Sequence, residues 1–375
     1  LVLIGRALVR FGEDAVRNRL HGMESLGHEQ VEEFFSDEVL DGLDGEMRRG
    51  LLQLALFDDL PLSLVARVVE EGRVPELLAE LSRHNLFVRS DEDGSAYVFH
   101  HLFRDSLRKL GLRELSEEGR RETLARGGRW YLEEGRIEEA LACLAEARDY
   151  PACAVLLTDF GMALLAGNRL KTLETALGTI PEPVMDEYAV FAFYYGMCLM
   201  ESRPDRAHAL LEQARGRFAA ADMARGELLA SAQLILFHLF IDGRFNCAAP
   251  LLGRAEGLLA GLESTLPPIM LILVNHALAA GHYFLHGDGE AVPRYAGRAW
   301  ELAKLHEYDN LLAGITIIQG YHHAVRGHWE SFRAKAEEAQ GLIANPRVSP
   351  LHRLFLRLMQ LNLLSLQGDL VNYQR

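Results

Sequence analysis

The chain has 375 residues, of which 49% are hydrophobic and 25% charged, and its formal net charge is −14. That length and balance suit two or three domains or one extended array, with ample apolar residues for a core. No run of about 20 uninterrupted apolar residues is present to cross a membrane, no signal peptide is expected, and the acidity lacks the basic footprint of a free-standing nucleic-acid binder.

In chain order, Phe34–Leu43 reads as a helix and Met47–Leu56 as a second. Pro61-Leu62-Ser63 opens a third that reaches about Glu71, and Pro75–His84 is a fourth. Leu86-Phe87-Val88 and Tyr97-Val98-Phe99 then alternate about Asp91-Glu92-Asp93-Gly94, which predicts a short hairpin. Helices followed by a two-stranded wing describe a winged-helix module. Leu102–Leu110 continues as helix and leads into a repeated array.

From about residue 120 turn signals recur at Gly135, Gly167, Ser202, Gly243, Gly287, Gly327 and Gly368, in steps of 32 to 44 residues. That is the period of a helical-hairpin repeat. The first members of the later pairs are Leu228–Asp242, Pro268–His286 and Leu311–Arg326, and within them Leu234–Phe237 and Met270–Val274 are apolar nearly all round. The second members, Ala248–Leu259, Val292–His306 and Phe332–Ala344, carry charged faces and should form an outer wall. Cys143, Cys153, Cys198 and Cys247 form no CxxC, so reduced thiols and a cytoplasmic protein are expected.

Leu124, Gly128, Tyr131, Gly135, Ile137 and Ala140 resemble the tetratricopeptide consensus, with Tyr283 at its tyrosine position and Gly320 and Gly327 at its two-glycine spacing. The string Tyr97-Val98-Phe99-His100-His101-Leu102-Phe103-Arg104-Asp105-Ser106-Leu107-Arg108 resembles the end of the winged-helix domain in MalT-type activators of the LuxR family. Phe35–Leu40, Leu77–Leu81 and Asn85–Val88 support it. The resemblance implies an all-α fold with one wing: residues 34–114 a winged helix, residues 115–375 a tetratricopeptide-like α-solenoid acting as sensor. Residues 1–33 are then the helical tail of a nucleotide-binding domain. Members of this family are signal-transduction ATPases with a nucleotide domain before the winged helix and a DNA-binding helix-turn-helix after the repeats. The chain carries neither a GxxxxGK[ST] loop nor a basic recognition helix, so it is expected to be a piece of a longer protein. No cofactor is expected in it, ATP or ADP being held by the full-length protein, and no catalytic site.

By the same resemblance His100 faces the nucleotide and contacts the diphosphate of the resting state. An imidazole can donate to a phosphate oxygen. The alternative is that His100 caps the hairpin and bonds a carbonyl. Residues 38–110 hold nine Arg/Lys and fourteen Asp/Glu, so the winged helix is expected to be a protein and nucleotide-switch module without direct nucleic-acid contact.

Counting back from the turn glycines places Gln233, Phe237 and Tyr321 toward a groove, where aromatic rings and an amide suit a small polar-faced ligand; otherwise Phe237 and Tyr321 are core and Gln233 bonds a neighbouring helix. His282 and His286 share a helix face at i,i+4 and are read as exposed, and no metal site is expected from them or from His322, His323 and His328. The expected partner is a small-molecule inducer or a protein on the repeats, with self-association in the active state and no membrane. The alternative is a tetratricopeptide scaffold that binds a protein partner.

Overall fold

The computed structural model describes residue 40 and residues 43–70, 72–83, 87–167, 169–287 and 289–367. The expectations for residues 1–33, for Asn85 and Leu86, and for Gly368 onward lie outside the described residues, as does nearly all of the helix expected at Phe34–Leu43. Packing divides the chain into two units, Leu1–Cys153 and Ala154–Arg375, whereas the sequence motifs change at residues 114/115.

The described part of the first unit opens with α1 (Gly45–Leu54), where the Asp44 carboxylate caps the helix by accepting from the Met47 N–H at 2.9 Å. β1 (Leu60–Pro61), α2 (Leu62–Val68), α3 (Val74–Arg83), β2 (Val88–Ser90), β3 (Ala96–Phe99) and α4 (His101–Glu114) follow. The sheet order is β1-β3-β2, all antiparallel, with Val88 opposite Phe99 and Leu60 opposite Tyr97. The expected wing is β2–β3. β1 is a correction: two residues are too few to show a period of two, and Pro61 is tolerated because the strand lies at an edge. At the wing tip the Asp91 carboxylate accepts from the Ser95 N–H (2.7 Å) and the Ala96 N–H (3.1 Å). Leu51, Leu54, Leu60, Leu64, Leu78, Phe99, Phe103 and Leu107 make the core, none more than 3% exposed.

A helical hairpin, α5 (Glu117–Glu133) and α6 (Ile137–Glu146), completes this unit. Its helices approach closely because Gly128 has no side chain; a Cβ there would lie 2.8 Å from Leu144 Cγ. The division between the units falls within α7 (Tyr150–Ala166).

In the second unit α8 (Leu170–Gly178) and α9 (Glu182–Glu187) precede a series of hairpins. These are α10 (Ala189–Leu199) with α11 (Pro204–Ala220), α12 (Ala224–Phe240) with α13 (Phe245–Leu262), α14 (Pro268–Leu285) with α15 (Ala291–Leu305), and α16 (Asp309–Val325) with α17 (Trp329–Ala344). α18 (Pro350–Gln367) covers the last pair. Gly243, Gly287 and Gly327 turn the chain within hairpins at φ of 68°, 60° and 73°, a backbone region that favours glycine.

The two helices of a pair differ as the sequence predicts. α12 packs on both α13 and α14, and every residue of α14 from Leu271 to His282 is buried. α17 buries only Phe332, Ala336, Ala339 and Leu342, one stripe at helical spacing. By length and composition α14 could cross a bilayer, but it buries Asn275 and His276 mid-helix among its neighbours, as a core helix does.

Candidate functional site

His100 sits where β3 becomes α4. It is the N-cap residue, at φ −58° and ψ 137°, and its side chain makes no capping bond. Its backbone N–H donates to the Phe87 carbonyl at 2.7 Å and its carbonyl accepts from Arg104 N–H at 2.9 Å. Phe87 presents that carbonyl from a left-handed conformation, φ 63°, which is costly for an aromatic residue. Its ring is held against Phe103, with centroids 5.1 Å apart. The main chain of His100 is thus held on both sides, and the half-buried His100 ring lies against exposed His101 with centroids 4.4 Å apart.

The next turns of α4 grip the loop after α1. Arg104 and Arg108 both reach Asp58 Oδ1, at 2.7 and 3.1 Å, and Arg108 Nε donates to the Ala55 carbonyl at 2.6 Å. The adjacent Asp59 turns to the repeat hairpin, accepting from Arg136 Nη1 and Nη2 at 2.6 and 3.1 Å. Arg136 also lies over the Tyr131 ring, 4.5 Å from its centroid. Burial, and then the Asp59 charge, pushes the Tyr131 phenol well above its ordinary value, so it stays neutral. Phe57, 2% exposed, stands over Gly127 of α5, and Gln53 Nε2 donates to Thr123 Oγ1 at 3.0 Å. Three consecutive residues, Phe57-Asp58-Asp59, therefore bind the helix that starts at His100 and the first repeat hairpin into one piece.

In the second unit the expected groove residues divide. Gln233 and Phe237 are each 2% exposed, so they lie inside the array and present no surface to a ligand; an inner helix is covered by its own partner and by the next pair. Tyr321 is half-buried, its hydroxyl accepting from Asn362 Nδ2 at 3.1 Å. The inner helices also bury polar groups. Ser231 Oγ, Gln233 Nε2, His276 Nδ1 and Thr316 Oγ1 have no hydrogen-bond partner among the described residues. Burial, then neighbouring His352, pushes the His276 imidazole down to about 3, so it is neutral.

His282 is a correction. It is 9% exposed rather than surface-facing, and its Nε2 lies 2.9 Å from Glu256 Oε1, which also accepts from Tyr295 at 2.9 Å. His286 is exposed. Another group went unnoticed in the sequence: His208 and Glu212 on α11 and His238 on α12 bring one potential ligand atom each to within 4.8 Å of one another. The i,i+4 pairs His208/Glu212 and His238/Asp242 were the available signal; their pairing across 30 residues was not.

Residues 36–119 match the MalT winged helix domain. The chain is 28% identical over 196 residues to the HTH-type transcriptional regulator MalT of Serratia proteamaculans, covering 51% of this chain and 21% of that one. The MalT of Yersinia pestis is 27% identical over 194 residues, with the same coverage. The chain spans about a fifth of the length of these curated relatives. The fold is similar to the crystal structure of a Signal Transduction ATPase with Numerous Domains with a tetratricopeptide repeat sensor from Pyrococcus horikoshii. The TM-score is 0.62 at 12% identity, covering 91% of this chain and 50% of that one. The expected resemblance and the expected architecture, a winged helix followed by tetratricopeptide-like repeats, are both borne out.

Proposed function

We propose that this chain, MalT-like in its winged helix, is the switch and sensor segment of an ATP-dependent transcription regulator. Its repeats would receive an effector, and the winged helix would pass the signal to a nucleotide held by another part of the protein. The observation that carries this reading is the join between His100 and the repeats. The imidazole emerges from a backbone fixed at both its N–H and its carbonyl, and the helix it starts is tied through Asp58 and Asp59 to the first hairpin. A load on that hairpin thus reaches the residue that would contact a diphosphate. The chain itself would perform no catalysis and touch no nucleic acid, ATP and ADP would bind only with the nucleotide domain present, and the active protein would self-associate in the cytoplasm.

The test is His100→Ala in the full-length protein. Loss of one charge-assisted hydrogen bond costs about 1.5–3 kcal/mol, so ADP release should quicken by roughly 10–100-fold and transcription should lose its dependence on inducer. Unchanged release in a variant that melts normally would leave His100 structural.

A second reading, a protein partner in place of a small effector, is favoured by one patch. Phe240, Phe245 and Phe284 are 37%, 44% and 41% exposed, with Phe284 against both other rings. A melting screen with sugars and other metabolites separates the two. A stabilising ligand lost on Tyr321→Ala and kept on Glu337→Ala supports the small effector on the repeats; no stabilising ligand supports the partner.

A further inference from the structure

We propose that His208, Glu212 and His238 form a binding site for a divalent transition-metal ion of the zinc class, clipping α11 to α12. The three side chains are the residue types such an ion takes, two imidazoles and a carboxylate. His208 and Glu212 are one turn apart on one face of α11, and His238 comes from the last turn of α12. Their ligand atoms lie within 4.8 Å of one another. Metal–nitrogen and metal–oxygen bonds are about 2.0–2.2 Å, so ligands of one ion stand roughly 3–4 Å apart. Small side-chain rotations on fixed helices close that gap.

The outer partners make this more than a cluster. His238 is 2% exposed, and its Nδ1 faces both oxygens of Asp242, at 3.2 and 3.0 Å. Asp242 is in turn anchored by the backbone N–H of Arg244 at 3.0 Å and by Arg244 Nε at 2.6 Å. A carboxylate on Nδ1 fixes the proton there and leaves Nε2 with a lone pair for a metal. This carboxylate–imidazole pairing is what orients metal-ligating histidines generally. The His208 ring lies tilted against Phe237 and edge-on to His238, with centroids 5.4 and 5.2 Å away, which limits its own swing. Arg215 occupies only one oxygen of Glu212, Oε2, at 3.1 and 2.9 Å, leaving Oε1 for an ion. Three protein ligands leave a fourth position for water or an anionic group.

The site would staple an outer helix to an inner helix of the repeat array. Its metal would add a link where the sequence provides no disulfide, Cys198 and Cys247 being free.

The experiment is a cobalt titration of the metal-stripped full protein, read by visible absorption, with zinc competition and a melting curve at each loading. One equivalent should give the intense bands of a four-coordinate cobalt site, abolished by zinc, and loading should raise the melting temperature. His208→Ala removes a half-buried ligand with little risk to folding, and should lose the bands. Asp242→Asn should weaken cobalt by 10–100-fold with the secondary structure unchanged. His286→Ala, outside the site, should change nothing. Absence of the bands in the parent, or bands that survive His208→Ala, would overturn the proposal.

Discussion

Gly127→Ala measures how tightly the winged helix is fitted to the first hairpin. A Cβ at Gly127 would land on Cε1 and Cζ of the Phe57 ring, well inside the normal carbon contact of about 3.5–4.0 Å. Phe57 is 2% exposed and packed near Tyr131, with centroids 6.2 Å apart, so it has nowhere to retreat. Overpacking of this kind costs about 1–3 kcal/mol. Glycine-to-alanine in a helix otherwise gains about 0.5–1 kcal/mol. Gly111→Ala in α4 supplies the comparison, since a Cβ there meets Leu115 Cδ1 at 3.6 Å and Leu52 O at 3.7 Å, ordinary contacts. Both variants change the unfolded chain alike, so the difference between them isolates the strain, about 1–3 kcal/mol. For a unit of about 150 residues that separates melting midpoints by about 2–4 °C per kcal/mol. Calorimetry or urea unfolding of the two variants reads it directly. Gly127→Ala melting at or above Gly111→Ala would show that Phe57 is not held there.

A double-mutant cycle of Asp59→Ala with Arg136→Ala should give a coupling of about 1 kcal/mol in urea unfolding, since both side chains are about a third exposed. That coupling should shrink as salt rises toward about 1 M. Gly327→Ala places a Cβ at φ 73° and should cost about 1–2 kcal/mol in the same assay. His276 is neutral in the fold, pushed down to about 3 by burial and then by His352. Its contribution is therefore full above the ordinary histidine value of about 6.5 and is lost as pH falls from there toward about 3. At about pH 5 the loss is up to about 2 kcal/mol, and His276→Leu should make that part of the stability profile less steep, the remaining slope belonging to His352, which burial pushes down to about 4.

What could be read in the sequence followed from local chemistry. Gly135, Gly243, Gly287 and Gly327 all adopt the positive φ that marks them as turns. The charged and apolar faces of α12 to α17 follow from spacing alone. Asp222 and Glu307 also turn the chain at positive φ, 57° and 55°; aspartate is tolerated there more readily than most residues, but glutamate does not announce such a turn. For Gln233 and Phe237 the burial agrees with the core alternative and not with the groove; a helical pattern tells which residues are apolar, not which neighbour covers them, and in stacked hairpins the next pair buries what one hairpin leaves open. The clasp at Asp58 and Asp59 was illegible for a different reason. Its partners lie 46 to 77 residues away, and surface arginines are common enough that no pattern selects Arg104 or Arg136.

The position of Phe57 bears on how such proteins can be taken apart. The family match closes at residue 119, which invites cutting the chain there to obtain a free winged helix. The severed piece would keep Phe57 but lose Gly127 and Tyr131, the surface that shields it, and Asp59 would lose Arg136. An aromatic ring would then face water beside an ownerless carboxylate, and the fragment should be sticky and short-lived. A cut beyond Glu146 keeps both halves of the joint. The smallest piece able to live alone is thus larger than the homology that identifies it.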